Sequence, residues 1–270
     1  IAAVNSEVLF AGLSNGELWY LSLVDNTKVK IYPKKGNSIT SPINEIKLVD
    51  NTIFFAHKNK ILNYNPQSKN LDVINLKQMG NENIVDFTYD NDSRIYIVSD
   101  SGKIFVHNLN NNYHSLIFNS NNNINFSHND KVSKVVFFEN KFIVGTENGW
   151  IYLFDMISNS KPKFNQRFLA HKSEISSIYY DKNDNKLMSS AVDGSFCIVS
   201  LSEKDKIGQR RIDLNFGIEN KINDLLSYND DFNKYLIIGD NNGSLSFLDL
   251  DLKDVFNLIQ KKIEDELSKN

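Results

Sequence analysis

A single cysteine, Cys197, stands in 270 residues. That excludes an internal disulfide framework and any zinc site built from several cysteines. It fits a reducing compartment, although a lone cysteine is tolerated elsewhere too. No apolar run approaches the ~18 residues of a membrane-spanning helix. Neither sign of charge prevails: 30 Lys and Arg stand against 33 Asp and Glu, a net charge of −3. Without a basic field, nucleic acid or an anionic membrane is a poor main partner. No nucleophile elbow, phosphate loop or zinc motif can be read along the chain. We therefore expect no catalytic residues, no cofactor and no bound metal. A starting methionine is missing as well, since the chain opens on Ile1. A removed signal peptide or a trimmed longer protein is expected, and localisation cannot be read from the ends.

What the chain does hold is 41% hydrophobic residues, ample for a folded core, and 39 asparagines. The runs Asn110 to Asn112 and Asn121 to Asn123 read as AT-rich codon usage filling surface loops rather than as prion-like tracts. Repetition is the informative feature. A turn pair recurs between two apolar runs at Asn15-Gly16, Ser101-Gly102, Asn148-Gly149, Asp193-Gly194 and Asn242-Gly243, with a degenerate version at Lys58-Asn59. Counted at the second residue, successive copies lie 43, 43, 47, 45 and 49 residues apart.

Each turn follows a run rich in β formers, such as VLFAGLS, IYIVSDS or FIVGTEN, and precedes another, such as ELWYL, KIFVH or WIYLF. Asn-Gly and Asp-Gly in that setting predict a tight hairpin with both central residues at positive φ. Upstream lies a third strand with apolar residues three apart: Ile43 and Ile46, Ile84 and Phe87, Val132 and Val135, Ile175 and Ile178, Ile222 and Leu225. A fourth, more variable run follows the hairpin, as in KVKIY and HSLIF. Four antiparallel strands in ~45 residues, six times over, is the arithmetic of an all-β propeller of six four-stranded blades. Stacking the blades hides each sheet between two neighbours.

The repeats resemble the WD-repeat β-propeller family through nearly the whole chain, and two units show it. One reads SHND, KVSKVVFF, KFIVGTENG, WIYLFD; the next reads AHKS, EISSIYY, KLMSSAVDG, SFCIVS. Ser127-His128 and Ala170-His171 take the family's Gly-His position, and Phe154-Asp155 and Leu248-Asp249 its Trp-Asp position. The repeats are degenerate: no blade carries both dipeptides, and the tryptophan is never there. A non-WD propeller of similar period stays open. The resemblance implies a structural tetrad of buried His, hairpin Asp, strand Ser or Thr, and Trp. Against it, the fifth blade keeps His171 and Asp193 but has Ala191 and Val199, while the fourth offers His128, Asn148, Thr146 and Phe154.

His171 with Asp193, and His128 with Asn148, are accordingly read as ties between the loop before a blade's first strand and its hairpin turn. His57, His107 and His114 sit in or beside strands without metal-ligand spacing. Trp150 follows a turn glycine where the other units have Glu17, Lys60, Lys103, Ser195 and Ser244. It is a candidate partner anchor, because buried Trp carries much of the energy of interfaces; packing against the next blade is the alternative. Arg210 and Arg211, like Lys34 and Lys35, form a small basic patch, and the arginines are further partner-binding candidates.

From Asp251 the apolar spacing changes to threes and fours through Leu252, Val255, Phe256, Ile259, Ile263 and Leu267. This predicts an amphipathic helix over 251–270 after a propeller over 1–250. Its stripe, with Phe256 and Ile259, either docks on the propeller or binds a partner. The strand that would close the ring is missing or supplied by DVFNLI, so six visible blades and a seven-bladed ring both stay tenable. The expected function is a non-catalytic scaffold that binds other proteins within a larger assembly, cytoplasmic or nuclear. Two alternatives stand beside it: an exported bacterial propeller that matures a periplasmic redox enzyme, and a propeller that binds a small ligand or is an enzyme.

Overall fold

The computed structural model describes residues 2–5, 7–33, 41–74, 76, 79–90, 92–111, 113–119, 130–157, 161–182, 185–201, 211–215, 221–229 and 234–249. The helix expected over 251–270 lies outside them. Among the described residues the regular structure is antiparallel β-sheet. Backbone contacts divide the chain into two units, Ile1–Phe168 and Leu169–Asn270.

The first unit holds four sheets, each of four consecutive strands in sequence order. They are β1 (Ala2–Asn5), β2 (Val8–Gly12), β3 (Leu18–Ser22) and β4 (Lys28–Tyr32); then β5 (Ile43–Val49), β6 (Thr52–His57), β7 (Lys60–Asn65) and β8 (Asn70–Ile74). The third sheet is β9 (Ile84–Tyr89), β10 (Arg94–Ser99), β11 (Lys103–Asn108) and β12 (Tyr113–Asn119). The fourth is β13 (Val132–Phe138), β14 (Lys141–Thr146), β15 (Trp150–Ile157) and β16 (Lys161–Leu169). The second unit has a four-stranded sheet of β17 (Ile175–Asp181), β18 (Lys186–Ala191), β19 (Ser195–Ser200) and β20 (Arg211–Asn215). Its other sheet has three strands among the described residues, β21 (Ile222–Asn229), β22 (Lys234–Asp240) and β23 (Leu245–Asp249).

The hairpin between second and third strands differs from the expected turn. The glycines Gly16, Gly102, Gly149, Gly194 and Gly243 have φ of 78 to 84°, but the residues before them do not share a positive φ. Each glycine N–H instead bonds the carbonyl three residues back, as Gly149 does to Thr146 at 3.2 Å. This is an ordinary turn closed by one left-handed residue, so only the last position demands glycine. Two consecutive positive φ values do occur at Asp50 and Asn51, in the tight turn between β5 and β6.

Side-chain alternation explains why the second strands read as nearly unbroken apolar runs. On β10, Ile95 and Ile97 join Phe54, Ala56 and Ile61 of the second sheet, while Tyr96 and Val98 join Phe142, Val144 and Tyr152 of the fourth. Both faces of that strand are therefore buried between neighbours. The first and second sheets share a core of Phe10, Leu18, Ile46 and Phe55. In the second unit, Met188, Phe196 and Ile198 pack on Ile222, Leu225, Leu236 and Ile238. Each such fully buried large side chain contributes about 1.5–3 kcal/mol. The fourth strands are the variable ones because they are edges, with Val29, Val73 and Leu116 exposed.

Candidate functional site

Two residues before the start of four of the first strands, β5, β9, β13 and β17, sits a polar side chain that reaches the hairpin turn of its own sheet or the strand residue beside it. Ser41 Oγ lies 3.2 Å from His57 Nε2. Glu82 accepts from Ser101 Oγ at 2.7 Å and pairs with Lys103. Asp130 Oδ1 accepts the Asn148 N–H at 3.3 Å, and Ser173 Oγ accepts the Asp193 N–H at the same distance. Backbone bonds repeat the tie one residue further on: Asn83, Lys131, Glu174 and Lys221 carbonyls accept the N–H of Asp100, Glu147, Val192 and Asn241 at 2.9–3.0 Å. The turns are thus pinned at their base while their outward side chains differ. Burial works to raise the Glu82 carboxyl, but bonds from Lys103, Ser99 and Ser101 outweigh it and leave it below the usual range. In Asp130 burial prevails over Thr146, Asn148 and Tyr152, and the carboxyl is raised.

His171 and Asp193 do come together, through an intermediary the sequence reading passed over. Ser195 Oγ donates to Asp193 Oδ1 at 2.6 Å and lies 2.6 Å from His171 Nδ1, while Ser189 Oγ lies 2.8 Å from Nε2. Since Ser195 spends its proton on the carboxylate, Nδ1 is the protonated nitrogen and Nε2 accepts from Ser189. The order is carboxylate, hydroxyl, imidazole, hydroxyl. A nucleophilic triad needs the carboxylate on the imidazole, and Ser189 is 1% exposed. What the chain of bonds can do is fix the turn. Ser189 and Ser195 supply the hydroxyls that Ala191 cannot.

In the fourth sheet Thr146 Oγ1 accepts the Trp150 N–H at 3.1 Å, and Asn148 meets Asp130. His128 lies outside the described residues. Trp150 is half-buried against the core between the third and fourth sheets. The Arg167 guanidinium sits 4.9 Å from its ring centroid and 5.9 Å from that of Tyr152. The indole is therefore covered from two sides and presents a cation rather than a bare ring. Arg211 opens β20, its backbone opposite Val199. Arg210, Phe256 and Ile259 lie outside the described residues.

A second set of polar residues lies two positions into the first strands: Glu45, Asp86, Lys134, Ser177 and Asp224. A β-bulge falls beside each one, and a bulge re-aims the side chain next to it. Asp86 accepts its neighbour Phe87 N–H at 2.8 Å and, across to the next sheet, the Val135 N–H at 2.7 Å. Ser177 repeats this on Leu225 N–H at 3.3 Å and donates to Asp224 at 2.8 Å. Lys134 Nζ reaches Glu45 at 3.3 Å, so three sheets of the first unit share one charge cluster. Burial pushes the Asp86 carboxyl up to about 6 against the pull of Lys134 and Lys47, with Glu45 adding to the rise. The signal for this belt was in the sequence, as a polar residue inside an apolar strand at a constant offset.

Consecutive antiparallel sheets of one repeating plan, packed face to face within each unit, are the pattern of the β-propeller class of protein. The chain matches the model of the Vps41-type family, described as the Vps42 β-propeller, over residues 112–251, just over half its length. It belongs to the Vps41-type β-propeller family. No curated protein matches the sequence. Among solved structures it resembles the computationally designed Ika8 protein, at 14% identity and a TM-score of 0.61, over 92% of this chain and 70% of that one. That likeness concerns the fold alone. The computationally designed Ika4 protein matches over 65% of this chain and 95% of its own, at 15% identity and a TM-score of 0.49.

Proposed function

We propose that the chain is a non-catalytic interaction module, a propeller of degenerate WD-type blades that presents its hairpin turns to other proteins within a larger assembly. The observation that carries this reading is the pinning of five of the described turns from below while their exposed residues vary. Glu17, Lys60, Lys103 and Ser244 occupy the same place just after the turn with different charge, and Trp150 with Arg167 adds an aromatic-cation surface there. Rigid anchoring lowers the entropy lost when a partner docks, and variation supplies specificity. Membership in a propeller family supports the same reading.

The test is affinity capture of the tagged full chain from its source cells with chemical crosslinking, beside the surface variants Lys103→Glu and Glu147→Lys and the double variant Trp150→Ala/Arg167→Ala. Crosslinks concentrated on the turns, and a partner set depleted at least fivefold by one variant, are expected. A partner set unchanged by all three would overturn the assignment of the turn end as the binding face.

A further inference from the structure

The hairpin β11–β12 places two histidines directly opposite each other, His107 on β11 and His114 on β12. Seven residues of sequence separation gave no hint of it, since ligand spacing across a hairpin depends on register. Cross-strand partners bring their Cβ atoms to about 5 Å. The rings lie 5.8 Å apart between centroids, tilted by 51°. His107 is 2% and His114 8% exposed. Three of the four ring nitrogens, His107 Nδ1 and both of His114, have no hydrogen-bond partner. Buried polar atoms nearly always have one, and each neutral ring carries one lone pair that can ligate a cation.

The spacing identifies its class. A metal bound about 2.0–2.1 Å from an imidazole nitrogen lies about 3.2 Å from that ring's centroid. Two imidazoles sharing it then have centroids about 5.2 Å apart at a tetrahedral angle and about 6.4 Å apart when collinear. The observed 5.8 Å falls between. We propose that His107 and His114 form a two-imidazole site for a borderline divalent cation of the zinc type. Phe105 fixes one ligand by stacking on His114, with centroids 5.4 Å apart and planes 9° from parallel. Burial also holds both imidazoles below the usual histidine range, which favours the neutral form that ligates.

Among the described residues no set of three or more His, Cys, Asp and Glu forms a metal site. The proposed site accordingly takes two protein ligands among the described residues.

The test uses the full chain stripped with a chelator and then titrated with Zn2+ alone, followed by calorimetry and thermal melting. At a hundredfold excess over Kd the melting temperature should rise by roughly 5–10 °C. His114→Phe, which keeps the stack on Phe105, and His107→Leu should each abolish the rise. No rise in the wild-type chain, or an undiminished one in either folded variant, overturns the proposal. X-ray absorption of the zinc-loaded wild type needs no variant: two imidazole nitrogens in the coordination shell support the site, and none refutes it.

Discussion

Asp86→Asn should make the protein more stable at neutral pH and less stable in acid. The carboxyl is 2% exposed and titrates at about 6 instead of its usual 3.8. A raised carboxyl binds its proton more tightly in the folded than in the unfolded chain, so the folded state gains stability as pH falls from about 6 towards 3.8. That gain amounts to about 3 kcal/mol and is absent at pH 7, where the charge stays buried. Asparagine removes the charge. Its one carbonyl oxygen cannot serve both the Phe87 and the Val135 N–H as the carboxylate does, and one lost hydrogen bond costs about 1–2 kcal/mol. The variant should therefore be more stable by about 1–2 kcal/mol at pH 7, less stable by a similar amount at pH 4, and equal near pH 5. Urea unfolding of both proteins at half-unit steps from pH 4 to 7.5 reads this directly, because titrating groups remote from the Glu45, Asp86 and Lys134 cluster cancel in the difference. A difference that does not change with pH would mean that Asp86 is ionised throughout and that the inter-sheet bond to Val135 needs its full charge.

Gly12→Ala and Gly243→Ala separate two uses of glycine. A Cβ on Gly12 would stand 2.7 Å from Ile43 Cγ2, where the first and second sheets meet, and overpacking of that kind costs about 1–3 kcal/mol. At Gly243 a Cβ meets nothing within 4 Å, so only the left-handed φ of +80° opposes it, for about 1 kcal/mol. Thermal melting should rank them in that order, and a larger loss at Gly243 would contradict the geometry. Ser195→Ala should release His171 from Asp193 at a cost of about 1–3 kcal/mol, and its nitrogen chemical shifts should lose the signature of a protonated Nδ1; an unchanged tautomer would refute the relay. Arg167→Ala should uncover the Trp150 ring and red-shift its emission, whereas unchanged fluorescence would place the guanidinium elsewhere.

The period of the chain showed the fold more readily than any signature did. Apolar runs around a turn every 43 to 49 residues require repeated hairpins, and the third and fourth strands follow from where the next apolar residues fall. Turn chemistry misled because Asn-Gly suits two kinds of hairpin, and only the hydrogen bond from Gly149 to Thr146 distinguishes them. Residues of the candidate site were harder to see. Ser195 follows its turn glycine and looked like filler, although its hydroxyl joins His171 to Asp193. His107 and His114 were opaque for another reason: register across a hairpin is fixed by the loop between its strands and not by residue type.

The degeneracy of the repeats has a physical cause that the tie before each first strand makes visible. The turn needs an acceptor or a hydroxyl at one place, and Ser41, Glu82, Asp130 and Ser173 all provide it with different chemistry. The same holds two positions into the strand, where Asp86 and Ser177 each take the N–H of the next sheet. A requirement for a polar atom at a position, rather than for one residue type, lets the signature dipeptides disappear while the spacing persists. Backbone bonds from Asp100, Glu147, Val192 and Asn241 carry the same tie without any side chain, which loosens the requirement further. Offsets from the first apolar residue of each unit are therefore better guides to the working residues of this chain than any motif written in residue names.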